Sequence, residues 1–450
     1  MSLTSAAAGE LTAELSGIRA ITDPAHVAQK SRDYFWYSPI LNEELKDKTA
    51  DIVFVVKTED EVKRVAAACA RRRLPLTVRA GGTGNYGQCV PLRGGVVLDV
   101  TGLNRIISIG KGAATVEAGV RMGALEKAAN ETGQEMPMWP STRRIATIGG
   151  FIAGGSAGIG SVRHGVLRDD GILTRARIVT VEETPRVIEL RGQDIHQVQH
   201  AYGTNGIITE LDLMLAPLED WRHVIVLFGS YASTLHFGSA VCAEGLALQL
   251  VSCVDKRFAP YYRALGPRFS GDRHAVFAIV SEGSLGDLRR VAADYGGSVA
   301  LAMTEAGMEK AGLPPAHECA FNHTTLQVLK ADRSWTYLQA AYPQPLDPAM
   351  VERQIRRYGD EVYMHHEFAK LHGSFLAFAL PLVKWTTKAR MDEIIAELEA
   401  DGCVVYNPHA VTIEEGGMKQ IDAAQIEFKR IADPHGLMNP GKTLGWKQDA

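Results

Sequence analysis

Moving a proton near neutral pH calls for a histidine or a carboxylate with a displaced pKa. This chain gathers such residues late in its length. "FNHTTL" offers Asn322 and His323, "EVYMHHEFAKLHG" offers Tyr363, His365, His366, Glu367 and His372, and "YNPHAVTIEEGG" offers Tyr406, Asn407, His409, Glu414 and Glu415. Read as one strand, the second segment alternates. Tyr363, His365 and Glu367 then form a polar face that could line a pocket, while Met364, His366 and Phe368 pack inward. The candidate catalytic set is His409, His365, Tyr363, His323 and Glu367, with a histidine accepting a hydroxyl proton. His409 is the first choice; it follows Asn407-Pro408 and lies close in sequence to the tail "DPHGLMNPGK". Arg333, in "KADRSW", is a candidate cation for an acidic substrate.

A second chemistry is written in glycine. Residues 78–87 read "VRAGGTGNYG", which contains G-x-G-x-x-G at Gly82, Gly84 and Gly87. In a Rossmann fold that pattern opens a helix whose N-terminus holds a pyrophosphate. Here it runs into "QCVPLRGGVVLDV", where Pro91 and Gly94-Gly95 forbid a useful helix and a new strand follows. No Gly-Lys-Ser/Thr follows, so the loop is not a phosphate-binding P-loop either. A second rich stretch, "PSTRRIATIGGFIAGGSAGIGSVRHG", occupies 140–165. Such density of small residues means close backbone approach to something. Two such loops in one globular chain point to a shared extended ligand, with N–H groups converging on a pyrophosphate. Thr83, Asn85, Ser141, Thr142, Ser156 and Ser161 add side-chain donors. "YGTNGIITELDLML", at 202–215, closes the region through Gly206.

The elements that must hold these loops are also legible. "DIVFVVKT" is a β-rich run. Thr58 and Glu61 form a capping box for a helix with an apolar stripe at Val62, Val65, Ala66 and Cys69. Arg71, Arg72 and Arg73 fall at its C-terminus, where cations complement the dipole. "LPLTVRA" is the strand that feeds the glycine loop. Between 219 and 400, strands and helices alternate as β-α-β-β-α, which suits a ferredoxin-like antiparallel sheet, and no internal repeat is visible. The length of 450 residues suits two or three domains.

Taken in order, "PLTVRAGGTG", "GGVVLDVTGLNRI", "VEAGV", "PST…ATIGG", "SVRHG", "GTNGIITE" and "DPHGLMNPGK" resemble the FAD-binding domain of the vanillyl-alcohol oxidase / p-cresol methylhydroxylase (PCMH-type) family. The resemblance covers about 51–218 and the tail near 433–442. It implies an α+β fold, with a PCMH-type two-subdomain FAD-binding domain at 51–218 and a ferredoxin-like antiparallel-sheet cap at 219–400. An N-terminal segment (1–50) precedes them, and a C-terminal segment (401–450) returns to the FAD domain. The implied FAD-binding residues are Arg79, Ala80, Gly81, Gly82, Thr83, Gly84 and Asn85 in the first loop. From the second come Pro140, Ser141, Thr142, Ala146, Thr147, Gly149, Gly150, Gly154, Ser156, Gly158, Ser161 and Val162, and beyond it Gly206, Ile207, Ile208 and Asn439. Members with covalent flavin carry His where this chain has Thr83, so FAD is expected to be non-covalent; Cys89 is expected to be a small buried residue. The implied activity is oxidation of an alcohol or 2-hydroxy acid by hydride transfer to flavin. The alternatives are an electron-transfer flavoprotein and an NAD(P)H-fed reductase. The chain looks like the D-lactate dehydrogenase/glycolate oxidase branch without its clear metal motif. No metal is therefore expected, although His365, Glu367 and His409 could gather on a divalent ion.

Composition narrows the partners. A net charge of -4 argues against a nucleic-acid surface. No apolar run is long enough for a membrane span, and the first residues lack a signal-peptide pattern. Six scattered cysteines without a C-x-x-C pair suit a reducing cytoplasm and no iron–sulfur or zinc-finger site. The expected partners are a small-molecule substrate, an electron acceptor of unknown kind, and a second copy in a homodimer.

Overall fold

The structure, a computed structural model, describes residues 3–169 and 171–446. The chain divides into two compact units. The first comprises Met1–Ser156, Asp170–Pro217 and His409–Ala450; the second comprises Ala157–Asp169 and Leu218–Pro408. Residues 157–169, which the sequence assigns to the flavin domain, thus pack with the second unit, and the return to the first begins at His409.

Two sheets build the first unit. One has the order β1-β2-β4-β3, from β1 (Arg19–Ile21), β2 (Ile52–Val55), β3 (Leu76–Arg79) and β4 (Val96–Asp99). β2 and β3 both run parallel to β4. Parallel strands are covered on both faces and read as continuous apolar runs. Accordingly, Ile52 and Phe54 join one core cluster while Val53 and Val97 join another. The crossover from β2 to β3 is α1 (Glu59–Arg72). Thr58 caps it by accepting Glu61 N–H at 3.2 Å, and Glu61 reaches back to Lys57 N–H at 2.6 Å. Arg73 ends it in the left-handed conformation and pairs with Glu183. The second sheet is antiparallel, β5-β6-β9-β7-β8, from β5 (Ile106–Gly110), β6 (Ala113–Glu117), β7 (Leu173–Val179), β8 (Val187–Arg191) and β9 (Ile207–Met214).

No helix follows β3. Residues 80–95 form a loop that leads straight to β4. The tail docks beside β3, where Leu76 N–H donates to Leu437 O and Asn439 N–H donates to Leu76 O. Fully buried Asp433 shapes that tail by accepting the amides of Leu437 and Met438 and pairing with Lys429 at 2.8 Å.

In the second unit, β10 (Trp221–Phe228), α2 (Tyr231–Ala243), β11 (Leu248–Val254), β12 (His274–Ser281), α3 (Leu285–Asp294) and β13 (Ser298–Met303) make a ferredoxin-like half. β14 (Gln339–Ala341), α4 (Pro348–Tyr358), β15 (His365–Leu371), β16 (Ser374–Ala379), α5 (Lys388–Ala400) and β17 (Val404–Tyr406) repeat the pattern. The single eight-stranded sheet runs β13-β10-β12-β11-β15-β16-β14-β17, every pair antiparallel. Each half has the ferredoxin-like strand order, and the halves join at β11–β15, where Ser252 faces Glu367. A duplicated topology is present, although the sequence shows no repeat. One sheet face and the four helices share a core that includes Val226, Leu235, Val276, Val351, Phe368 and Ile394.

Candidate flavin site and polar clusters

The glycine loop leaves β3 with its backbone half-exposed from Ala80 to Gly84. The amides of Gly81, Gly82, Thr83 and Gly84 donate to no group among the described residues. A row of four donors that the chain itself leaves open can converge on an acceptor from outside it. The two glycine stretches also meet. A Cβ at Gly81 would lie 2.8 Å from the Ile145 carbonyl oxygen, so only glycine lets the loops approach so closely. Gly82 has φ +61°, a conformation that β-branched residues resist. In the second stretch, α6 (Ile148–Gly154) starts at Thr147, whose Oγ1 accepts Gly150 N–H at 3.3 Å. The amides of Ser141, Thr142 and Ser156 likewise donate to nothing among the described residues. An anionic diphosphate offers the acceptors these donors lack, and FAD fits the cradle on that ground.

Several of the expected FAD residues also brace the two loops. Gly149 packs on Ala118, where an added Cβ would be 2.6 Å from the Ala118 methyl. Buried Asn439 ties two segments together through Nδ2, which donates to Gln88 O and Tyr202 O at 2.6 Å each. Gly206 adopts φ +87° and donates to Met438 Sδ at 3.1 Å, while Ile207 is wholly buried in the core and Ile208 nearly so. Gly158, Ser161 and Val162 belong to the second unit. Gly158 N–H donates to Ser161 Oγ at 2.8 Å, and Val162 is part of that unit's core. Beside them, Gly160 N–H pairs with Gln249 O on β11. Asn85, Pro140 and Ala146 lie in or beside the two loops, Asn85 and Ala146 buried and Pro140 half-buried.

The N-terminal segment "RDYFWYS" supplies residues that sequence reasoning passed over. Tyr34 N–H donates to Gly84 O at 2.7 Å, and Tyr34, Trp36 and Tyr37 form an aromatic cluster with ring centroids 4.6–6.2 Å apart. Ser38 then caps α7 (Pro39–Leu45) by accepting Leu41 N–H and lies 2.7 Å from His409 Nδ1. Four consecutive aromatics at 34–37, followed by Ser38, were the available signal. His409 is 5% exposed and sits in the flavin unit.

In the second unit the expected polar strand splits. Tyr363 belongs to a short strand, Val362–Tyr363, in a separate three-stranded sheet, whereas β15 starts at His365. The period-2 reading fails at Met364, where the chain passes between sheets. Tyr363 is held by the Trp335 ring at 4.5 Å and the Arg257 guanidinium at 4.5 Å. His365 and Glu367 do share a face but are buried, at 0% and 1% exposure, and they line no open surface. Glu367 Oε1 accepts Phe321 N–H at 2.7 Å and Ser252 Oγ–H at 2.9 Å, and lies 2.7 Å from His365 Nε2. Phe321 holds φ +49° at the start of α8 (Asn322–Ala331), which covers the pair. His366 faces the core and bonds Tyr231; burial drops its pKa to about 3. His323 pairs with Glu318 at 2.7 Å, and Arg333 is exposed.

The structure therefore joins His365 to Glu367 but gives His409 a different partner, Ser38, in the other unit. A different trio, His223, Glu305 and His317, brings metal-ligand atoms within 4.8 Å of one another. His223 Nδ1, however, accepts Ala316 N–H at 3.0 Å. That leaves the ring proton on Nε2, the reverse of a ligating histidine, which donates from its second nitrogen. Among the described residues, no helix is long and apolar enough to cross a membrane.

Residues 50–187 match the FAD binding domain model. The chain is 29% identical over 184 residues to the glycolate oxidase subunit GlcD of Bacillus subtilis, covering 39% of each chain. It is 28% identical over 179 residues to a D-lactate dehydrogenase of Anaerostipes hadrus, covering 37% of this chain and 36% of that one. The aligned part is thus well under half the length of these relatives. The fold matches that of p-cresol methylhydroxylase with a TM-score of 0.69 at 14% identity, covering 99% of both chains.

Proposed function

We propose that this chain, an FAD-binding protein whose residues 50–187 are an FAD-binding domain set in a p-cresol methylhydroxylase-type fold, oxidises the CH–OH group of a small 2-hydroxy acid. The observation that carries the reading is the row of open amides from Gly81 to Gly84, in a chain similar to proteins named for glycolate and D-lactate. When bound, FAD supplies the two-electron acceptor for hydride. The chain's own part is to hold the diphosphate, orient the substrate and take the hydroxyl proton.

His409 is the residue we assign to that proton. Ser38 Oγ already accepts Leu41 N–H and keeps a second lone pair, which can accept Nδ1–H of His409. In that tautomer Nε2 is the basic nitrogen, and the helix cap fixes the ring. His323, His365, Glu367 and Tyr363 are held inside the second unit, so they rank behind His409. With Thr83 in place of a histidine in the first loop, FAD is held without a covalent bond.

Anaerobic mixing of the yellow holoprotein with glycolate, D-lactate and L-lactate tests the reading. Bleaching of the flavin by one of them is the expected result. Bleaching only by dithionite, or by NADPH, would replace it with electron transfer or a reductase. Acid precipitation should release FAD to the supernatant.

A further inference from the structure

Beneath the glycine loop lie charges that the matched domain, residues 50–187, only partly contains. Arg79 turns inward from the end of β3. Its NH1 donates to Arg32 O and approaches Cys89 Sγ at 3.3 Å, and its guanidinium occupies the space a Cβ at Gly82 would need. Lys442, from "NPGK", is fully buried and donates from Nζ to Gly87 O at 2.6 Å. Asp33 is 8% exposed; its Oδ1 accepts Phe35 N–H at 3.0 Å. Its Oδ2 is buried without a hydrogen-bond partner, 3.6 Å from where a Gly84 Cβ would stand. That carboxylate feels the positive charge of both Lys442 and Arg79 without a close ion pair to either among the described residues. The cluster keeps an excess of one positive charge directly behind the open amides.

Buried charge is costly unless something compensates it. An anion on the outer side of the loop would do so, and the low dielectric would strengthen the attraction. We propose that Arg79, Lys442 and Asp33 form an electrostatic floor that sets the protein's affinity for the FAD diphosphate, with Lys442 attracting it and Asp33 opposing that attraction. This rests on the glycine loop being the diphosphate cradle.

The protonation states agree with that arrangement. Burial pushes Asp33 up to about 6, against the pull of Lys442, the Phe35 amide, Arg79 and the Cys89 amide. Burial lowers Lys442 to about 8, against the pull of Asp33 and Cys89. The other groups facing the cluster are Cys89, whose thiol burial raises to about 11, and Tyr202, which burial raises and which senses Tyr86 and Asp33. Protonating either Asp33 or Lys442 adds positive charge. FAD affinity should therefore fall as pH rises through each of the two steps.

The test is titration of apoprotein with FAD, followed by flavin fluorescence, with riboflavin as the probe that lacks a diphosphate. Lys442→Met should weaken FAD binding by about tenfold or more and leave riboflavin binding alone, whereas Asp33→Asn should tighten FAD binding. Opposite signs are required, because loss of packing would weaken both. Lys442→Arg should retain the affinity. Should Lys442→Met fail to fold, the wild-type pH profile and Asp33→Asn still decide. A flat profile from pH 5 to about 9, or weaker FAD binding in Asp33→Asn, overturns the floor. Wild-type apoprotein that binds FAD no better than riboflavin overturns the loop's role as cradle instead.

Discussion

The loop at 79–88 in the first unit and strand β15 in the second both place polar groups in apolar surroundings, and they satisfy them in opposite ways. The loop leaves four successive amides open and half-exposed. β15 folds its polar pair inward, under α8, with Glu367 Oε1 taking three partners from its own unit. Open donors on rigid backbone are a request for ligand. The buried His–Glu pair, bonded to Ser252 and a main-chain amide, sits at the seam where the two ferredoxin-like halves meet, with His365 Nδ1 and Glu367 Oε2 buried and without a hydrogen-bond partner. Residue type alone does not separate the two; where the hydrogen bonds go does.

The comparison can be broken most severely at Gly82. Gly82→Val forces a β-branched residue to φ +61° and should abolish flavin content in a folded protein, read by absorbance after purification. Normal flavin content would remove the loop from the site. Next is Glu367→Ala, which leaves Phe321 N–H, Ser252 Oγ–H and His365 buried without their shared acceptor. It should destabilise the protein by about 3 kcal/mol in urea unfolding while leaving the FAD dissociation constant unchanged. A lost FAD affinity would mean that β15 serves the cofactor after all. His409→Ala should keep FAD yet slow its anaerobic reduction by the true substrate about 10²-fold, or about 2.7 kcal/mol. A near wild-type rate would return the base to the His365 face. Thr58→Ala removes a helix cap remote from both regions and should cost about 1 kcal/mol of stability with no change in flavin content. Smallest is Arg333→Ala, at an exposed position, which should change the substrate KM by less than about twofold.

What could be read from the chain followed locality. Pro91 and Gly94-Gly95 rule out a helix after the first glycines, and the strand at Val96–Asp99 stands there. The Thr58 cap and the stripe at Val62 to Cys69 are likewise local and stand as read. Tyr363 and His365 sit two positions apart in sequence yet belong to different sheets, because alternation does not reveal a change of sheet. Lys442 stood inside a quoted motif and Tyr34 in an aromatic run, but nothing local joined either of them, or Asp33, to the glycine loop. They meet the glycine loop only through tertiary structure, over separations of up to 355 positions. The doubled topology of the second unit was hidden for a related reason. "RHVIVLFG" and "LQAAY" fill equivalent first strands with unrelated side chains, and only strand order betrays the repeat.

The tail that ends in Lys442 has one consequence for biosynthesis. As the chain leaves the ribosome, the glycine loop emerges hundreds of residues before the segment that braces it through Asn439 and Lys442. Contacts so distant in sequence form late, after their long loop closure has been overcome. Firm retention of the cofactor is therefore expected to await the tail, and a chain truncated before position 439 should lose FAD on gel filtration where the full chain keeps it.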